Sequence, residues 1–321
     1  MALPTNTFTT FSAVGNREDL SDIIYRIAPT ETPFFAMAET VTATNKLHEW
    51  QTQALAAAAQ NQQLEGDDAN ADAVTQTVRL NNYCQISTKV PRVSNTQMAI
   101  DHAGRDDELA YQVMLKGLEL RRDMESIVLG GASVSGQVKA AGAATTPPAL
   151  ANMLTWVANN DDFDSGGSSP SPVDGTDARN DGTLRAFTES QLKNSLNLTY
   201  AAGGKPNTIM VGPFNKQVFS TFTGRATPTE DTGGRKIVAA VDTYVSDFGT
   251  LKVVPNIFQR ARDCWILQDD MWAIAYLKGR KFQAIDLAVT GDSVRRMVVT
   301  EWTLEARNEK SSGGVFDLTV S

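Results

Sequence analysis

Apolar residues first recur with helical spacing near the amino terminus. Leu20, Ile23, Ile24 and Ile27 stand at i, i+3, i+4 and i+7, one face of a short helix. Asn16 ahead of them, Glu18 and Asp19 in the first turn, and Pro29 beyond predict where that helix starts and stops. Residues 1–15 are rich in Thr and Phe, carry no such period and read as an extended tail. PTETPFF at 29–35 follows directly and reads as an arm that cannot fold back on itself. Its paired phenylalanines therefore need a surface elsewhere.

The period then changes to two. KLHEWQTQAL at 46–55 reads as an extended edge strand. In the return strand at 73–90, Val74, Val78 and Leu80 point one way while Thr75, Thr77 and Arg79 point the other. AAAAQNQQLEGDDANAD at 56–72 joins them and is longer than a hairpin turn should be. An isolated two-stranded ribbon is barely stable in water, so this one must lie on the chain's own core or on a neighbouring copy.

Residues 105–129 make the longest helical pattern. Leu109, Val113, Leu120, Met124 and Ile127 form one stripe, and Tyr111, Leu118 and Leu129 a narrower second one. Acidic residues crowd the first turn and Gly130-Gly131 ends it, as the helix dipole and C-terminal glycine preference require. Apolar residues on two sides predict a strut sandwiched between layers. The Gly, Ser, Asp and Pro-rich segment at 159–183 reads as a loop or surface-exposed insertion. Beyond it come a helix capped at Thr188 or Ser190, a buried strand at 207–212 and a helix opening with Pro213. TLKVVPN, CWILQ, MWAIAYL, KFQAIDLAV and VRRMVVTEWTLEAR, between 250 and 307, are strands. Helices and strands interleave without a βαβ rhythm, so the fold class is α+β.

Composition narrows the function. With 41% apolar residues the chain can bury a sizeable core. A net charge of -8 argues against a nucleic-acid binder working through a basic face; Arg121-Arg122 and Arg295-Arg296 are short and separated. Cys84 and Cys264 stand alone, which predicts free thiols in a reducing compartment. The first residues lack the basic and apolar regions of a signal peptide, and no apolar run reaches membrane-spanning length. The expectation is a soluble, cytosolic product.

Candidate chemistry is sparse. His48 and His102 are the only histidines and fall in different elements, which leaves little for a His-based triad or metal site. GGASVSG is not a nucleophile elbow, and Gly204-Lys205 lacks the rest of a phosphate loop. Asp68, Asn70 and Asp72 alternate like calcium ligands, but Ala73 replaces the required glycine and Arg79 stands at the bidentate Glu position. Asp162 and Asp164 begin a similar run that ends on Val173. Trp50, Trp156, Trp265, Trp272 and Trp302 read as core or interface anchors. No catalytic residue, metal ligand or cofactor is expected.

The order of these parts is similar to that of the major capsid proteins of tailed bacteriophages, the Hong Kong 97-type fold, in the small family without a fused scaffolding domain. DLSDIIYRIAPTETPFFAMAE with HEW at 48–50 carries the resemblance, together with YVSDFGTLKVVPN at 244–256, Thr290-Gly291-Asp292 and TEWTLEARNEKSSGGVFDL at 300–318. The resemblance implies an N-terminal arm over 1–45 and an extended loop over 46–95. It implies a peripheral domain from 96–149, with its spine helix at 105–129, and from the strands of 261–321. An axial domain would span 150–260. Candidate inter-subunit contacts are Phe34, Phe35, Trp50, Leu47, Val78 and Leu80; for the two phenylalanines, packing in the chain's own core is the alternative. The implied partners are copies of this chain in pentamers and hexamers, a portal, decoration proteins and a separate scaffolding protein, since no long extension precedes the arm. The shell would be assembled in the bacterial host cytoplasm and enclose double-stranded DNA without sequence-specific binding and without a membrane. The covalent cross-link of the family prototype finds no acceptor beside Lys46 or Lys89. Two alternatives stand beside this reading: an encapsulin-like shell around a cargo enzyme, and a hydrolase or binding protein using the Asp-rich loops.

Overall fold

The computed structural model describes residues 28–320 apart from 67, 69, 70, 102, 103, 105, 132–135 and 223–241. The expected tail and the helix through Leu20 and Ile27 lie outside the described residues, as does His102. Where an arm that cannot fold back on itself was expected, Pro33 opens a one-turn helix, α1 (Pro33–Met37), and Glu39–Ala43 form a strand, β1. Proline at the first turn loses no hydrogen bond and presets the backbone angle. Next come β2 (Leu47–Thr52) and β3 (Val78–Tyr83), then β4 (Gln85–Lys89), β5 (Arg92–Ser94) and a short helix α2 (Asn95–Ala99).

The long helix α3 (Glu108–Val128) follows. Asp107 caps it by accepting from the Ala110 amide at 3.1 Å. It stops where Gly130 takes φ +64°, a left-handed turn that a side chain would resist and where a Cβ would lie 2.5 Å from Leu154. The remaining elements are β6 (Asp161–Asp162), α4 (Glu189–Ala201), β7 (Thr208–Val211), α5 (Pro213–Phe219), β8 (Thr243–Ser246), β9 (Gly249–Pro255), β10 (Cys264–Leu267), β11 (Trp272–Leu277), β12 (Gln283–Asp286), β13 (Ser293–Ala306) and β14 (Gly313–Val315). At α4, Thr188 is the cap: Gln191 reaches back to accept from its amide at 3.0 Å.

The strands form two larger sheets and one ribbon. In the first sheet β13 is the axis. It pairs antiparallel with β11 and β12 along one edge and with β4 and β5 along the other, while β1 adds in parallel to β11. The second sheet runs β6-β14-β10-β7-β9-β8. The strands of 261–321, expected in the peripheral domain, divide between the two sheets. β10 and β14 lie in the second sheet, because the fully buried Cys264–Leu267 has a partner on each side, β7 and β14. Residues 31–43 also belong to the body, since β1 completes an edge of the first sheet instead of continuing a free arm.

One core lies between α3 and the first sheet and includes Leu120, Met124, Val128, Trp272, Trp302 and Leu304. A second lies where α4 and α5 cover the other sheet, around Leu192, Leu196, Phe219 and Ile266. Among the described residues, the expected sandwich around α3 is one-sided. Leu109, Leu120 and Met124 are buried, whereas Tyr111 and Leu118 are only half-buried and Met114 is exposed. Leu118, with Leu115, lines a cleft together with Ala28 and Thr30.

Candidate assembly surface

The ribbon of β2 and β3 pairs Leu47 with Tyr83 at its root and Thr52 with Val78 at its far end. Two side chains anchor the root to the body. Trp50 is 9% exposed, and its ring lies 5.4 Å from that of the buried Trp156. Asn82 is fully buried: its amide nitrogen donates to the carbonyls of Leu304 (2.9 Å) and Ala151 (3.2 Å), and its oxygen accepts from the amides of Ala151 (2.8 Å) and Tyr83 (3.0 Å). One amide thus joins the ribbon, the 150–157 segment and β13, and leaves none of its own polar atoms unpaired, as a buried polar group requires. His48 adds an ion-pairing contact, with Nε2 2.8 Å from Glu305 of β13. Burial by itself would raise the Glu305 carboxyl, but hydrogen bonds from His48 and Arg307 hold it below its usual range. Of the two supports offered by the sequence, the chain's own core carries the ribbon's root.

Beyond that root the support stops. Residues 53–77 carry no regular element among those described, and nearly all are exposed. Leu55, Val74 and Leu64 are 96%, 91% and 79% exposed, and Val78 at the ribbon's end is 59% exposed. The strands are tied across this opening by Gln53, which donates to the Thr75 carbonyl at 2.9 Å. A loop this long without structure of its own is uncommon in a compact domain and is usually functional. Its leucines and valines lie in water, and burying each would be worth about 1.5–3 kcal/mol.

The arm's root is set differently. Phe34 is fully buried, with its ring edge-on to Trp272 at 6.3 Å, and half-buried Phe35 meets Trp302 at 5.7 Å. The expectation that Phe34 and Trp50 reach another copy is corrected: both fill the chain's own core, where their large apolar surfaces have partners already. Phe35 and Leu80 are half-buried on the same core and Leu47 is half-buried at the ribbon's root, which leaves Val78 as the candidate with most surface free. Glu125 of α3 holds α1 in place. Its carboxylate accepts from the Phe34 amide (2.8 Å), the Phe35 amide (3.1 Å) and the side chain of Asn256 (2.7 Å). Burial pushes its pKa up to about 7 despite these donors. Neither Asn82 nor Glu125 stood out in the sequence. Asn81-Asn82 inside a strand was the available sign, since asparagine is depleted there; Glu125 offered only a carboxylate beside Met124 on an apolar stripe.

The Asp-rich segment is not a solvated insertion. Arg179, its side chain 1% exposed, lies 3.6 Å over the Phe316 ring and donates to the fully buried Asp263 at 2.9 Å. Arg260 pairs with Asp181 at 2.5 Å, Arg262 with Asp317 at 2.7 Å, and Arg185 with Asp162. Arginines pair with these carboxylates, and among the described residues no group of His, Cys, Asp or Glu is arranged to hold a metal ion. Both cysteines are free and buried. Burial, with Glu301 adding to it, pushes the Cys84 thiol up to about 11, and burial raises Cys264 further. Neither is poised as a nucleophile. Among the described residues no helix is long and apolar enough to cross a membrane.

The body is thus built around buried anchors, while one long apolar-bearing loop stands off it. The sequence model of the SU10 major capsid protein family matches residues 3–319. The chain belongs to this family. It is a tailed-phage major capsid protein of the Hong Kong 97-type fold. The major capsid protein of Escherichia phage Phieco32 is 27% identical, with 98% of each chain covered. Among solved structures, the capsid asymmetric unit of cyanophage A-1(L) has a TM-score of 0.62 at 13% identity, covering 97% of this capsid protein and 98% of that chain. A chain of Gordonia phage Cozz has a TM-score of 0.60 at 10% identity, covering 100% and 99%. The SrpI encapsulin of Synechococcus elongatus, at 0.56 and 10% identity over 95% and 93%, shares the fold alone.

Proposed function

We propose that this capsid protein builds an icosahedral head from its own pentamers and hexamers, with residues 53–77 seated on an adjacent copy. The observation that supports this reading is the contrast within one ribbon: a root fixed by Trp50 and Asn82, and a far end whose Leu55, Leu64, Val74 and Val78 lie in water. Covering those side chains with a neighbour's surface stabilises the contact modestly, and repetition over many symmetry-related contacts closes a shell. The arm, 1–45, contributes through the part preceding α1. The head encloses double-stranded DNA, and a net charge of -8 leaves that DNA mobile instead of fixed to the wall. A separate scaffolding protein directs closure in the host cytoplasm, a portal and decoration proteins complete the head, and the chain's role is architectural, without catalysis.

The test is expression of the full chain, alone and with its neighbouring genes, followed by sedimentation and negative-stain microscopy. Closed shells, or rings of five and six subunits, are expected. A variant with residues 55–76 replaced by a short turn should keep its melting temperature and lose shells. A monomer under every condition, or full assembly of the shortened variant, would overturn the reading. Shells that copurify with a specific protein in place of DNA would favour the encapsulin-like alternative.

A further inference from the structure

Glu125 is fully buried, and the groups it binds come from two other parts of the chain: the Phe34 and Phe35 amides of α1, and the Asn256 side chain just after β9. No lysine, arginine or histidine among the described residues forms an ion pair with it. The charged groups around it are turned elsewhere. On α3, Arg122 lies over the Phe258 ring at 5.7 Å, and Asp123 pairs with Lys89. Arg260, beyond Asn256, pairs with Asp181 and Asp263. On the sheet beneath α3, Glu301 pairs with Arg280, Arg296 with Asp286, and Glu305 with His48 and Arg307. Ahead of α1, Glu31 lines a cleft of about 210 Å³. Pro33, Pro255 and Asn256 line the same cleft, so both groups that close over Glu125 border a space that water can reach. This is a buried carboxyl at a three-way junction, with no cation paired to it among the described residues.

We propose that Glu125 is a proton-operated latch fastening α1 to the long helix, held most firmly when the carboxyl is protonated. Burial disfavours the charged form more than the three donors favour it, so the docked state holds the proton to about pH 7, while a solvated glutamate releases it near 4.5. The docked state is therefore fully favoured below pH 4.5 and loses that advantage as pH rises to about 7. The opening equilibrium of α1 rises toward tenfold per pH unit across this window and levels off above it. The total change is on the order of 300-fold, from the difference between the two pKa values. Because the latch lies within one chain, it operates in the unassembled subunit as well as in a shell.

The experiment is hydrogen–deuterium exchange on the full chain from pH 4.5 to 8, corrected for intrinsic exchange rates, followed in peptides covering residues 31–38. Protection of these amides should fall by on the order of a hundredfold between pH 4.5 and 8. E125Q should flatten the dependence. N256A removes a donor that favours the anion, so its levelling point should move above pH 7; this variant also tests the latch should E125Q fail to fold. Flat protection in the wild type, an unchanged slope in E125Q, or an unmoved levelling point in N256A would each overturn the proposal.

Discussion

Replacing Asn82 by alanine tests whether one buried amide fixes the ribbon to the body. The substitution leaves the Ala151 amide, which donates to Asn82 Oδ1 at 2.8 Å, without that acceptor, and removes the donor held by the Leu304 and Ala151 carbonyls. A buried donor left unpaired costs about 1–3 kcal/mol, and each ordinary hydrogen bond contributes about 1 kcal/mol net. The sum is about 3–5 kcal/mol for N82A. N82D has nearly the same shape and keeps an acceptor for Ala151, but it turns an oxygen toward two carbonyl oxygens in a site without exposure. At neutral pH it should therefore be at least as destabilising as N82A. Acidification should restore part of the loss, because a protonated carboxyl can donate again. Urea unfolding of the subunit, followed by tryptophan fluorescence, reads this directly, since Trp50 and Trp156 lie 5.4 Å apart at the ribbon's root. N82A within 1 kcal/mol of the wild type, or N82D more stable than N82A at pH 7, would show that the ribbon is held by something else.

Three further outcomes follow from the same packing. F34A should cost about 3–5 kcal/mol, because Phe34 is fully buried against Trp272; F35A, at a half-buried position, should cost clearly less, and equal losses by thermal denaturation would contradict the assigned burial. R179A removes a 2.9 Å hydrogen bond to the fully buried Asp263, which keeps Arg260 at 3.4 Å, and should cost about 1.5–3 kcal/mol, whereas R179M with D263N should be far less destabilised than the sum of its single variants in a double-mutant cycle. Glu305, held below its usual range, adds stability above pH 4.5 that is lost as the pH falls through its folded value. H48A should lower neutral-pH stability and make the acid limb shallower in melting temperatures from pH 7 to 3; an unchanged limb would separate His48 from Glu305.

Much of this molecule is legible in local sequence. α3, α4, the buried strand β7 and the strands β9 to β13 follow from periodicity and end residues. A 3.6-residue or two-residue repeat next to a cap, proline or glycine specifies an element whatever surrounds it. The long ribbon and its oversized connection are equally plain, and the order of parts carries the resemblance to the capsid family. Composition and the lack of catalytic motifs direct attention to surfaces before chemistry.

Tertiary structure decided where those elements go. β10 and β14 follow the other sheet because their flanks meet β7 and β6, pairings between residues far apart in the chain. Phe34 turned inward because Trp272 and Glu125, remote in sequence, receive its ring and its amide. The Asp-rich segment looks like solvated loop by composition, yet its carboxylates meet arginines from 179–185 and 260–262 once the chain is folded. A period reports the state of a dozen neighbouring residues. Whether an apolar or charged side chain is covered depends on what arrives from a hundred residues away, and for residues 53–77 what arrives is another copy of the chain under the assembly proposed above.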